Sequence, residues 1–341
     1  MNHAFLSGLA HHIPWAWKDI PKWDEEPLYK AEIHLNLCKP SHMYTLDFQE
    51  QKEVGSGSYA LSAVLNVLSE AGVKVLREII ERNMNNTRVS DRIPTYLRGL
   101  GYTSQFIRDM NECPRLAEFV SEMAGTKLIP HAMVANYSHV NIGKVGVAKN
   151  VDSWHVDSVP YVLVTVLSDQ ANSQGGALQM VKRNGLDEAR QIVAEAKGNP
   201  APDDVITVSY VGAGSGLFMQ GSRIMHRVTP IVDAKEPRIS MVFSWMPADC
   251  FADDATSLDF YKKDPEGLFE FTRLKAWRVM NQLRHLVERH PYTEDAQLLA
   301  GHLRLCSQEL DRTADLITGK VKDGVGYYNE VKQTMTLNVI R

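Results

Sequence analysis

The sequence predicts an all-β core with helices added before and after it. Three observations point there. Between Ile129 and Pro247, short runs rich in β-branched and aromatic residues follow one another, separated by Gly, Pro, Asn and Asp turns; this is the pattern of an antiparallel sandwich or barrel rather than of βαβ units. On either side of that stretch apolar residues recur at helical spacing. At 341 residues, 44% hydrophobic and 23% charged, the chain is long enough for one elaborated domain over 1–341. Its expected parts are flanking helices over 59–124, a β core over 129–247 and C-terminal helices over 265–335.

Taken in order, Glu32 to Leu37 alternates polar and apolar residues and reads as an outer strand. Tyr59 to Arg82 places Leu61, Leu65, Leu68, Val75 and Ile79 on one side, which reads as a single long amphipathic helix. A second helix over Arg115 to Ala124 ends at Gly125, a residue suited to a left-handed cap. The core runs are Ala132–Tyr137, Tyr161–Leu167, Ala177–Val181, Val205–Val211 and Arg238–Trp245. Between two of them, Arg183 to Pro202 is charged and helical in spacing, an insertion expected over the mouth of a site. Beyond Pro265, Leu268, Phe271 and Leu274, then Leu299, Leu303, Cys306, Leu310 and Ile317, mark packing helices with a homodimerisation role in prospect.

A net charge of −4 and the lack of a long Lys/Arg run give no field for polyanions, so nucleic acid is not an expected partner. The cysteines Cys38, Cys113, Cys250 and Cys306 are scattered and read as free thiols. Residues 1–17 are too polar for a signal peptide, and no apolar run approaches the ~20 residues that span a bilayer. The expectation is a cytoplasmic protein with no membrane partner and a small-molecule substrate.

The chemistry is concentrated in three short segments. His155 and Asp157 lie two residues apart on a strand-like run, and side chains at that spacing share a face, so an imidazole and a carboxylate can grip one ion. His226 supplies another imidazole after a glycine turn. Two His and one carboxylate with open positions suit iron(II). Arg238 and Ser240 again share a face, and a guanidinium beside a hydroxyl is shaped to hold a carboxylate.

His155-x-Asp157, then His226, then Arg238-x-Ser240 resembles the signature of the iron(II)/2-oxoglutarate-dependent dioxygenases. The likeness spans about Asn136 to Pro247, and the helices before it are similar to those of phytanoyl-type, small-molecule members. The resemblance implies a double-stranded β-helix, a jelly-roll or cupin-like core. It also implies iron on His155, Asp157 and His226, 2-oxoglutarate with its far carboxylate on Arg238 and Ser240, and O2 as oxidant, with ascorbate supportive. Asn141 and Thr165, on strands expected to line the pocket, are further candidates for co-substrate contact. The implied reaction is oxidative decarboxylation of 2-oxoglutarate coupled to hydroxylation of an amino acid or natural-product intermediate. Family halogenases generally carry a small residue where Asp157 stands, so halogenation is disfavoured.

Three alternatives remain open on sequence. The same centre can desaturate or close rings; the triad can hold zinc in a hydrolase, which leaves Arg238 unexplained; and a β-helix protein can bind ligand without catalysis. Other features have plainer readings. Trp154, Tyr161, Trp15 and Trp17 are packing residues, Arg227 points off the metal face into a salt bridge, and Gly175-Gly176 serves backbone geometry. Gly212 to Gly216 is a turn, not a phosphate loop. His131, His139, His285 and His302 have no spaced partner and are assigned no role.

Overall fold

The computed structural model describes residues 19–20, 23–54, 57–147, 149–170, 173–264 and 266–322, with the strands Tyr327–Asn329 and Thr334–Thr336. Trp15 and Trp17 lie outside the described residues. The core strands are β1 (Tyr59–Ser62), β2 (His139–Gly143), β3 (Asp152–His155), β4 (Tyr161–Val166), β5 (Leu178–Val181), β6 (Val205–Val208), β7 (Ser215–Met219), β8 (His226–Val228) and β9 (Arg238–Pro247). They form two antiparallel sheets packed face to face, a sandwich of the jelly-roll type. In the larger sheet β1, β7, β4, β9 and β2 are successive neighbours. In the smaller, the order is β6, β5, β8, β3 and then Tyr327–Asn329.

Burial explains which residues became strands. Leu61, Val162, Val164, Leu217 and Met219 of the larger sheet meet Leu178, Met180 and Val228 of the smaller one between the layers. The outer face of the larger sheet, with Leu163, Phe218, Met241, Phe243 and Trp245, is covered by helices α1 (Glu70–Arg82) and α2 (Pro114–Ala124) through Leu76, Ile79, Leu116 and Val120. Strand β4 is therefore buried at every position, which is why it reads as a continuous apolar run rather than an alternating one.

Helix α3 (Leu186–Glu195) sets Ala189 and Val193 against Trp154 and Val181. The long hairpin α4 (Gly267–Glu288) and α5 (Ala296–Ile317) packs Phe271, Leu274 and Leu316 near Ala132, Met133 and Met246. Buried charge fastens that hairpin. Lys275 Nζ stands 2.9 Å from Asp254 and 3.0 Å from Glu309. Burial pushes the Asp254 carboxyl up, but Lys275 and Arg278 outweigh it and hold the group below the usual carboxylate range. Truncating one partner of such a network strands a buried charge.

Several expectations need correction. The segment Tyr59 to Arg82 is not one helix. Its first residues are fully buried strand β1, a short strand Leu65–Asn66 follows, and α1 starts only where the Ser69 hydroxyl accepts from the Gly72 N–H. Glu32 to Leu37 is a helical turn, Ala31–His34, followed by an isolated bridge from Leu35 to Leu68. Ala132 to Tyr137 holds a 3-10 turn, Val134–Asn136, because the buried Glu270 carboxylate accepts the N–H groups of Val134 and Ala135. The inserted helix α3 lies behind the smaller sheet and not over the cavity. The stretch 265–335 ends in strand, since Tyr327–Asn329 pairs with β3.

Helix α2 does end on Gly125 in the left-handed region, at φ 63°. No disulfide joins any of the four cysteines. Among the described residues no helix is long and apolar enough to cross a membrane.

Candidate active site

His155 closes β3 and His226 opens β8, and the two are paired directly across the antiparallel ladder. That register places their rings 4.2 Å apart, centroid to centroid. Each imidazole is fixed the same way: His155 Nδ1–H donates to the Ser153 carbonyl at 2.6 Å and His226 Nδ1–H to the Ile224 carbonyl at 2.8 Å. A carbonyl only accepts, so the proton sits on Nδ1 and each Nε2 keeps its lone pair. Both lone pairs face Asp157, whose Oδ1 lies 3.3 Å from His155 Nε2 and whose Oδ2 lies 3.6 Å from His226 Nε2.

Ligand atoms from His155, Asp157 and His226 all fall within 4.8 Å of one another, the only such set among the described residues. Two imidazoles and one carboxylate converging in a pocket fit a divalent transition metal. Burial, with His155 alongside, lowers His226 to about 4, so its ring is unprotonated at neutral pH. Burial raises the Asp157 carboxyl, yet His226, His155 and Arg92 together hold it below its ordinary range.

Asp157 owes its place to a glycine. Its N–H donates to the Gly221 carbonyl at 3.0 Å, and a Cβ on Gly221 would stand 2.0 Å from Asp157 Oδ2. No side chain larger than hydrogen is compatible with the carboxylate in this position.

Arg238 starts β9, fully buried. Its Nη1 donates to Ser240 Oγ at 2.8 Å, while Nε and Nη2 have no hydrogen-bond partner. Burial lowers its pKa, as expected of a guanidinium without a counter-anion. Buried donors left unpaired beside a metal-ready pocket fit an acidic co-substrate. Gly175 and Gly176, both at positive φ, bring backbone against Pro230 and the Arg238 side chain, where a Cβ on Gly176 would meet Arg238 Cδ at 3.0 Å.

The cavity runs along β9 past Ser240, Val242 and Ser244 and reaches all three triad residues. Asn141, opposite Ser240 in the ladder, lines it, with Oδ1 accepting from His139 Nε2 at 2.7 Å. Thr165 is not brought to the site. It lies between Val164 and Val166 on β4 with its hydroxyl near Gly216, on the face turned toward the outer helices. Trp154 also points away, donating from Nε1 to the Gly198 carbonyl. Arg227 stacks over it and hydrogen-bonds Gln179 and Gly198. Tyr161 packs on Phe218.

No motif or spacing pointed to the cavity's remaining polar wall. Arg92 pairs with Asp152 at 3.2 Å. Arg98 pairs with Asp264 at 2.9 Å and donates to the Phe260 carbonyl. His139 and Tyr261 complete it. Two of these residues come from the irregular stretch before β2 and one from the loop after β9, where no periodicity singles out a side chain.

A jelly-roll sandwich presenting His-x-Asp and His on paired strands, with a buried Arg-x-Ser beside them, carries the motif of the iron(II)- and 2-oxoglutarate-dependent superfamily. Within that class the chain belongs to the Halogenase D family, whose pattern matches residues 60–259. No curated protein matches the sequence. Among solved structures, HygX from Streptomyces hygroscopicus with nickel and 2-oxoglutarate bound is 18% identical over 57% of this chain and 85% of its own, at a TM-score of 0.42. The epimerase SnoN from nogalamycin biosynthesis is 17% identical over 54% and 78%, at 0.40. The carbocyclase SnoK of the same biosynthesis is 15% identical over 54% and 79%, at 0.41. These likenesses are too distant to speak to activity.

Two expected outcomes follow. Gly221→Ala removes tight binding of iron(II) or its cobalt(II) surrogate, because the carboxylate must leave its place; titration of the apoprotein reads this, and wild-type affinity in the variant contradicts the assignment. Buried His226 and His131 are both lowered to about 4 from 6.5, so below pH 6.5 the unfolded chain binds more protons than the folded one. Apoprotein stability is full above pH 6.5 and declines as pH falls toward 4, by ~1.4 kcal/mol per pH unit for each such group. Urea midpoints at pH 7.5, 6 and 5 measure it, and a flat profile refutes it.

Proposed function

We propose that this protein is an iron(II)/2-oxoglutarate-dependent oxygenase that hydroxylates a C–H bond of a small molecule, such as an amino acid or natural-product intermediate, and that it is not a halogenase. The observation that carries the reading is Asp157, set between the two imidazole Nε2 atoms. A halogenating relative needs room for halide where this carboxylate stands, and here the carboxylate occupies it. The sandwich is read as the double-stranded β-helix of that superfamily.

His155, Asp157 and His226 would hold iron(II), which would supply the oxidation by which substrate, O2 and 2-oxoglutarate give hydroxylated product, succinate and CO2. The protein's part is positional. The carbonyl ties fix both imidazoles with Nε2 turned to the site, and the single carboxylate would offset part of the metal's charge. Arg238 and Ser240 hold the far carboxylate of 2-oxoglutarate, with Asn141 alongside. Val162, Val164, Leu178, Val228 and Val242 give the cavity apolar walls that exclude water. A cytoplasmic location agrees with cysteines that form no disulfide.

The expected result is succinate release that requires iron(II), O2 and 2-oxoglutarate and is abolished in His155→Ala and His226→Ala. In Arg238→Met the requirement for 2-oxoglutarate rises on the order of a hundredfold. Turnover under anaerobic conditions without 2-oxoglutarate would show a zinc hydrolase instead. Mass spectrometry of the product separates a gain of one oxygen from desaturation or ring closure.

The same proposal includes a homodimer. Phe269, Met280, Leu283 and Val287 are exposed on one side of α4, at the spacing of a helix–helix seam, and a second copy of this helix across a two-fold axis offers the matching stripe. Light scattering should find a dimer that Met280→Glu converts to monomer; a monomeric wild type at micromolar concentration rules it out.

A further inference from the structure

We infer that the end of the cavity formed by Tyr261 and Ser158 recognises a substrate group that donates hydrogen bonds, an ammonium or a hydroxyl, and that His131 is the positioning residue that sets this preference. The inference rests on the reading that the cavity beside the triad holds substrate. It follows from the direction of a buried hydrogen-bond chain that starts at an anion and ends at the cavity wall.

The anion is Asp254, kept charged between Lys275 and Arg278. Thr256 Oγ1 donates to Asp254 Oδ1 at 2.6 Å, so toward its other neighbour the Thr256 hydroxyl can only accept. That neighbour is His131 Nε2, 3.1 Å away, which must carry the imidazole proton. The far side of the ring gives the same answer independently: the Met133 N–H donates to His131 Nδ1 at 3.2 Å, so Nδ1 holds the lone pair. The Asn136 amide nitrogen therefore faces His131 Nδ1, at 3.0 Å. Its amide oxygen faces Tyr261, whose hydroxyl donates to it at 2.8 Å.

The consequence reaches the cavity. Tyr261 has one proton and gives it to Asn136. Ser158 Oγ lies 3.3 Å from the Tyr261 oxygen and must be the donor of that pair. Both hydroxyls line the cavity, and both have spent their protons inside the protein, so what remains toward substrate is lone pairs. A carboxylate or phosphate placed there meets acceptors, whereas an ammonium or hydroxyl finds partners. The cations of the same wall do not reverse this, because Arg92 is paired with Asp152 and Arg98 with Asp264.

His131, Thr256, Asn136, Tyr261 and Ser158 are all buried, so the polarity of the chain is not rewritten by solvent. His131 touches no substrate. It acts by fixing which end of the Asn136 amide meets Tyr261, and burial that keeps its ring neutral supports the role.

The test uses the full chain loaded with nickel(II), which does not turn over, and 2-oxoglutarate, with n-butylammonium, n-butanol and butyrate as probes of equal carbon count in a thermal-shift titration. Wild type is expected to bind the better of the two donor probes about tenfold more tightly than butyrate; which donor wins separates an ammonium from a hydroxyl. Tyr261→Phe removes that preference. Asn136→Ala frees the phenol proton and moves the preference toward butyrate. His131→Leu loses the preference while His131→Gln, which can still accept from Asn136 and donate to Thr256, retains it; a purely structural histidine would change melting temperature without changing the ratio. Nickel content of each variant separates misfolding from altered selectivity.

Butyrate favoured in wild type, an unchanged ratio in Tyr261→Phe, or no binding of any probe by protein that holds nickel and 2-oxoglutarate overturns the inference. Failure of wild type to bind nickel at the triad strikes instead at the oxygenase reading.

Discussion

Two imidazoles meet across one register of an antiparallel ladder, and most of what this molecule can do depends on that pairing. Strands β3 and β8 place His155 opposite His226, and a slip of either strand by one residue would send its ring to the back of the sheet. The carbonyl two residues upstream of each histidine then chooses its tautomer. Local backbone thus decides which nitrogen is available, and sheet register decides that the two available nitrogens converge. The apolar layers on both sides of the ladder hold that register, which ties the metal chemistry to the packing of the whole sandwich.

Charge in the interior follows a complementary logic. Asp157, half-buried, is held below its ordinary range by His226, His155 and Arg92, and Arg238 is buried with two nitrogens left without partners. A buried guanidinium with open donors fits a ligand that completes it. Lys275, Arg278, Asp254 and Glu309, by comparison, compensate one another and anchor the terminal helices.

The local parts of this site were legible in the sequence. Residue parity along extended backbone is a covalent fact, so Arg238 and Ser240 on β9, and His155 with Asp157 just past the end of β3, could be set on one face without knowing the fold. Thr165 shows where that reasoning stops. Its own strand was identified correctly, but which parity of β4 faces inward depends on β7 and β9 beside it, and Val162 and Val164 hold the inner face. Tyr59 to Ser62 misled for a related reason: apolar residues buried on both faces of a sheet fit a helical wheel as readily as a strand. Arg92, Arg98 and Tyr261 were invisible because loops deliver them, and His131 because its function lies in the direction of its hydrogen bonds, which spacing does not encode.

Gly221 and Asp157 behave as a single steric unit, with one residue's missing side chain being the other's space. Exchange at the pair therefore has an order. A carboxylate can be shortened at 157 while glycine stays at 221, and only afterwards does 221 become free to grow; the reverse order passes through a protein whose metal ligand is displaced. A lineage moving between a three-ligand centre and an open one is steered through one of the two single-step routes, and once 221 has enlarged, the return of the carboxylate is blocked until that change is undone.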